Sequence, residues 1–173
     1  MGLSANTLNK EAIRAHNDLR ALHGCPKIQY DSKLASDAQK WAENLAKKGY
    51  LQHSQADGYG ENLAFQMSTA GASLKGHEAT RNWYDEIKKH DFSGQNQPGT
   101  GHFTQVIWKS TKRAGFGAAK SSDGMKIYVV GRYKPAGNVI GRYAENVPRP
   151  KKAAPPVDEY NKKYTSESRC SIL

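Results

Sequence analysis

Arg113-Ala-Gly-Phe-Gly-Ala-Ala-Lys120 and Lys126-Ile-Tyr-Val-Val-Gly-Arg-Tyr133 are two β-prone runs separated by Ser121-Ser122-Asp123-Gly124. An Asp-Gly turn between two such runs predicts a β-hairpin. Upstream the period changes to that of a helix. Leu8, Ala12, Ala15, Leu19 and Leu22 line one face, and His23-Gly24 followed by Pro26 ends it. A second helix is expected to start at Asp31 or Ser32, both good N-caps, with Leu34, Ala38, Trp41 and Leu45 inward and Lys47-Lys48-Gly49 as its stop. A third spans about Ser73 to Lys89 with Ala79, Trp83 and Ile87 spaced by four, and a short fourth spans Phe103 to Ser110. Glu61 to Gln66 reads as a further strand. Helices first and a hairpin last predict an α+β layered domain rather than a wound parallel sheet.

The chain of 173 residues suits one domain plus a tail, and the body is placed at residues 1–147. From 148 to 173 the composition shifts: four of the seven prolines lie there, with six basic and three acidic residues. That predicts a flexible or extended arm leaving the domain. The net charge of +10 favours an anionic partner, nucleic acid or an acidic membrane surface. Aromatic residues near basic ones, Trp108-Lys109 and Tyr128 to Tyr133, read as core and hairpin packing, and no RNA-binding signature is present, so nucleic acid is not expected. Two cysteines, Cys25 and Cys170, make no disulfide framework. The first twenty residues lack the apolar stretch of a secretory signal, so the expected compartment is the reducing cytosol.

The last four residues, Cys170-Ser171-Ile172-Leu173, fit a prenylation box, with the terminal Leu favouring geranylgeranyl. Met1-Gly2 opens as a myristoylation site does. The sixth position is Asn6 where Ser or Thr is wanted, so an ordinary helix-entry loop is the preferred reading of Gly2. A serine-hydrolase reading finds hydroxyls at Ser54, Ser68 and Thr69 but no nucleophile elbow.

Four blocks in order carry a resemblance: His16-Asn17-Asp18-Leu19-Arg20, His53-Ser54, Gly60-Glu61-Asn62-Leu63 and Gly101-His102-Phe103-Thr104-Gln105-Val106-Ile107-Trp108. The chain resembles the CAP superfamily of cysteine-rich secretory, antigen and pathogenesis-related proteins over about Asn9 to Val147. Trp83-Tyr84-Asp85-Glu86-Ile87-Lys88 and Pro135-Ala136-Gly137-Asn138-Val139 look like its intracellular Golgi-associated branch. The resemblance implies an α-β-α sandwich with a three-stranded antiparallel sheet. It also implies a cavity tetrad of His53, Glu61, Glu86 and His102, in which the two histidines bind a divalent metal such as zinc. Spacing alone would not have found them, since they stand eight, twenty-five and sixteen residues apart with no local ligand motif. Two protein ligands are fewer than catalytic zinc usually has, so weak and reversible binding is expected. The resemblance further implies binding of anionic lipids or sterols, homodimer formation, and residence on the cytoplasmic face of endomembranes, the Golgi first. The alternatives are a zinc-assisted hydrolase with Glu61 or Glu86 as base, and a CAP protein exported by unconventional secretion.

Overall fold

A computed structural model describes residues 4–55, 57–94 and 98–166. Helix α1 (Ala5–Leu22) starts at Ser4, whose hydroxyl accepts from the Thr7 N–H, and buries Leu8, Ala12, Ala15 and Leu19. The chain then forms strand β1 (Gln29–Tyr30) and helix α2 (Ser32–Lys48). Asp31 caps α2 by accepting from Leu34 N at 3.0 Å, and Gly49 ends it at φ 83°, a left-handed conformation that favours glycine. Strand β2 (Gly60–Met67) follows, then helix α3 (Gly76–Tyr84), which tightens into a 3₁₀ turn over Asp85–Lys89. The single long third helix expected from the sequence is therefore two pieces. It also starts three residues late, where the Lys75 N–H donates to Glu78. Helix α4 (Gly101–Ile107), strands β3 (Arg113–Lys120) and β4 (Lys126–Lys134), and helices α5 (Tyr143–Asn146) and α6 (Val157–Ser166) complete the chain.

The sheet order is β1-β3-β4-β2. The antiparallel three-stranded sheet is present as β3-β4-β2, and the two-residue β1 adds a parallel fourth strand beside β3. Strand alternation divides the core in two. Ala114, Phe116, Ile127, Val129 and Tyr133 face α1, α3 and α4, whereas Tyr128 and Val130 face Ala38, Ala42 and Leu45 of α2. On the α2 side, β3 presents Gly115 and Gly117. A Cβ there would stand 2.1 Å from Ala35 N and 2.3 Å from Gln39 Cα, so only glycine lets the helix lie directly on the strand backbone.

Beyond β1, the free edge of β3 is closed by side chains. Asn9 accepts from Phe116 N at 2.8 Å and donates to Phe116 O at 2.9 Å. Two residues along, Gln39 accepts from Ala118 N at 3.0 Å and donates to Ala118 O at 2.9 Å. An amide from each flanking helix thus takes the place of a missing strand.

As far as Ser166, the expected arm does not leave the domain. Lys151 N donates to Leu22 O, and Arg81 donates to Pro155 O at 2.7 Å. Tyr160 and Tyr164 of α6 are buried: Tyr160 donates to His77 O, Tyr164 donates to Asp18, and the Tyr164 ring stacks 4.6 Å from that of His77. Two tyrosines one helical turn apart supply the apolar face that this proline- and lysine-rich composition concealed.

Candidate functional site

The tetrad arises from four separate elements. His53 lies in the loop after α2, Glu61 opens β2, Glu86 sits on the 3₁₀ turn, and His102 is in the first turn of α4. All four line one cleft of about 570 Å³, together with Ser54, Tyr59, Asn62 and Asn138.

Each histidine is paired with a carboxylate. His53 Nδ1 donates to Glu61 Oε1 at 2.9 Å, and His102 Nδ1 is hydrogen-bonded to Glu86 Oε1. Both Nε2 atoms are left for another partner, the arrangement by which a carboxylate orients an imidazole toward a metal. The His53 side chain is 64% exposed and that of His102 40%, so both can be reached from solvent.

The carboxylates differ. Glu61 is saturated: it also accepts from Ser54 N at 2.9 Å, from Ser54 Oγ at 2.6 Å and from Arg132 Nε at 3.2 Å. Burial alone would raise its pKa, but the bonds from His53 and Ser54 and the Arg132 charge outweigh that and hold it below the ordinary value. The same bond raises His53 above its ordinary value. Glu86 Oε2, in contrast, is buried with no partner. A buried unpartnered carboxylate oxygen costs free energy unless something bonds it, so a water or an ion belongs there.

The chemistry open to this cleft is limited. Ser54, Glu61 and His53 stand in that order, so the serine proton meets a carboxylate of lowered basicity rather than an imidazole. That is the reverse of a Ser-His-acid relay. Among the described residues no group of three or more His, Cys, Asp or Glu is placed to hold a metal. Two imidazoles and an open carboxylate oxygen fit a weakly held ion, not a closed structural site.

Two residues of the site escaped the sequence reading. Arg132 lies directly across from Glu61 in the β2–β4 register, and its guanidinium lies 4.3 Å from the centre of the Tyr59 ring. Pairing Gly60–Met67 with the hairpin by register would have found it. Asn138, at φ 59°, donates to Gly101 O and accepts from Thr104, bracing the start of α4. Asn62 donates to His102 O and to Tyr133 Oη, and Tyr133 in turn donates to His16, which links the cleft to the core. His16 is fully buried, and desolvation lowers its pKa to about 3. His23, His77 and His90 make hydrogen bonds elsewhere, to Tyr84, Glu11 and Thr100. Trp108, Tyr128 and Tyr133 are core side chains. Cys25 is a buried free thiol, while Gly2 and Cys170 lie outside the described residues. No described helix is long and apolar enough to cross a membrane.

Known proteins resemble this chain in sequence and in fold. The human Golgi-associated plant pathogenesis-related protein 1 is 43% identical over 162 residues, 88% of this chain and the whole of that protein. Protein PRY2 of Saccharomyces cerevisiae is 38% identical over 78% of this chain, which spans 39% of PRY2. Among solved structures, BmVAL-1 matches with TM-score 0.68 at 24% identity, covering 80% of this chain and 82% of that one. The structure titled NaASP2 with Zn2+ matches with TM-score 0.60 at 27% identity, covering 92% and 98%. The profile of the cysteine-rich secretory protein family matches residues 13–133, and this chain belongs to that family, CAP.

Proposed function

We propose that this chain is a non-enzymatic CAP-domain protein that associates peripherally with the cytoplasmic face of Golgi membranes, binding anionic lipids or sterols and anchored by a prenyl group on Cys170. The observation that carries the reading is the match to the human Golgi-associated relative along that protein's whole length. The net charge of +10 and the C-terminal Cys170-Ser171-Ile172-Leu173 agree with it. One lipid chain alone anchors weakly, and basic residues near an anionic surface add about 1 kcal/mol each, so the two together suffice for stable attachment.

His53 and His102 would hold zinc through their Nε2 atoms, weakly and reversibly, with Glu61 and Glu86 orienting the rings. A bound zinc would supply a Lewis acid with open positions. The reversed order of Ser54, Glu61 and His53 and the lack of a third described ligand favour a binding role for the cleft over hydrolysis.

The test is fractionation of eukaryotic cells expressing wild type or Cys170→Ser, with intact mass on each fraction. The reading expects wild type in the membrane pellet with the mass of a prenyl group, and the variant soluble. An unmodified wild type that stays soluble overturns it. Unmodified protein in the medium would instead establish export; Secreted protein RBT4 of Candida albicans, 36% identical over 86% of this chain, is by its name a secreted relative.

A further inference from the structure

The cations of this chain are not spread evenly. Residues 19–30, 106–116 and 132–157 contain eleven Lys and Arg and a single carboxylate, Glu145, which is ion-paired with Arg142; carboxylates from outside these stretches pair with two more, Asp31 with Arg113 and Glu61 with Arg132. The three stretches meet in space. The buried Arg20 guanidinium gathers them: it donates to the carbonyls of Pro26, Val106, Trp108 and Thr111. Lys112 N donates to Lys134 O, Lys109 N to Asn146 O, and Lys151 N to Leu22 O. One pole of the molecule therefore carries Lys27, Lys109, Lys112, Lys134, Lys151 and Lys152, all exposed. Among the described residues none of the six has an ion-pair partner.

The same pole carries an apolar tip. The loop that leaves β4 at Lys134 and returns at Arg142 holds Val139 and Ile140, which are 48% and 82% exposed. Ile140 is the most exposed large hydrophobic side chain among the described residues. Asn138 behind it and the Arg142 N–H bonded to Val139 O hold the loop in place.

We propose that this pole is the face that docks on an anionic bilayer, with the lysines against lipid headgroups and the Val139-Ile140 tip among the acyl chains. The proposal rests on the membrane reading above and adds the face and its residues. Charge complementarity selects an anionic partner. The exposed aliphatic pair on the same pole selects a membrane over a nucleic acid, which would gain nothing from burying Ile140 in a phosphate backbone.

The experiment uses the full chain produced without lipidation, so that Cys170 contributes no anchor. Its probes are vesicles of phosphatidylcholine with and without phosphatidylserine. Wild type is expected to sediment with the phosphatidylserine vesicles and to be released by salt. Lys109→Ala/Lys112→Ala/Lys134→Ala is expected to bind on the order of a hundredfold more weakly, each lysine being worth roughly fivefold. A control with the same change in net charge, Lys33→Ala/Lys40→Ala/Lys47→Ala on α2, is expected to lose far less. Ile140→Asp should weaken binding further at fixed salt, and circular dichroism confirms that each variant is folded. Equal losses for the two triples overturn the proposal, as does tighter binding to an oligonucleotide that the first triple abolishes. Wild type ignoring phosphatidylserine vesicles altogether overturns binding of anionic lipid by any face of the domain, a different result from wild type binding through another face, and anchoring through Cys170 is decided separately by the fractionation of cells.

Discussion

Replacing Asn9 by alanine should cost far more than its size suggests. The side chain makes three hydrogen bonds, and two of them serve the Phe116 N–H and C=O on a strand edge that β1 is too short to cover. Phe116 is 1% exposed, so neither group gains a water when the amide is cut away. Each unsatisfied buried backbone group costs about 1–3 kcal/mol, while alanine returns about 0.5 kcal/mol in helix propensity. The net loss is therefore about 2–5 kcal/mol, which for a chain of this size lowers Tm by roughly 5–15 °C. Gln39→Ala is the internal comparison: its bonds to Ala118 have the same form, but Gln39 and Ala118 are only half-buried, so water replaces the amide and the loss is about 1 kcal/mol or less. Asn9→Asp keeps the acceptor for Phe116 N but sets an oxygen against Phe116 O, so it should be at least as harmful as alanine. Urea unfolding followed by far-ultraviolet circular dichroism measures all three. An Asn9→Ala loss below about 1 kcal/mol, or one equal to that of Gln39→Ala, refutes the argument, since it would mean that the free edge is satisfied without the amide.

The pH dependence follows from the buried histidines. His16 falls to about 3 on folding, so below pH 6.5 the unfolded chain takes up a proton that the folded chain refuses, and stability drops by about 1.4 kcal/mol per pH unit toward pH 3. His23 and His90, lowered by the same desolvation, add to that slope. His53 acts oppositely: its raised pKa stabilises below pH 6.5 and that contribution is lost as pH rises through the folded value, though its exposure keeps the effect small. A urea midpoint that stays flat between pH 6.5 and 4 contradicts the His16 assignment. Zinc titration followed calorimetrically should show weak binding lost in both His53→Ala and His102→Ala; retention in either removes that histidine from the ligand set. Tyr164→Ala, which deletes a buried ring stacked on His77, should cost about 3–5 kcal/mol and expose Lys162 and Lys163 to trypsin. Unchanged proteolysis would show that α6 does not need this contact.

Periodicity makes the main elements legible in the sequence. The faces of α1 and α2, the Asp31 cap, the Gly49 stop and the hairpin around Ser121–Gly124 all stand where their local chemistry puts them. What escaped had no local signal. Two residues of β1 carry no alternation, and they form a strand because the chain between α1 and α2 passes beside β3. Helix α6 is held by contacts to Asp18, His77 and Arg81, far away in sequence. The site is the same kind of case. Four polar residues on four elements have no shared period, so only their resemblance to known motifs located them. Arg132 reads as an ordinary strand residue, and only its register with Glu61 sets it beside that carboxylate of the cleft.

If Cys170 carries the proposed prenyl group, the docking of α6 sets how much chain lies between that group and the folded domain. Had the whole stretch from 148 been a free arm, a lipid on Cys170 would hang on some twenty residues of chain, a reach of roughly 70 Å when extended. With α6 clamped through Tyr164 to Asp18, Cys170 comes only four positions after Ser166, and four residue steps of chain reach at most about 14 Å. That is close to the Debye length of about 8–10 Å at physiological salt, so a domain anchored in this way would stay near the field of the bilayer. Asp18 also lies one helical turn from Leu22, where Lys151 is tied down. A lipid attached there would do more than raise the local concentration of protein at the membrane: it would limit which side of the domain can face it.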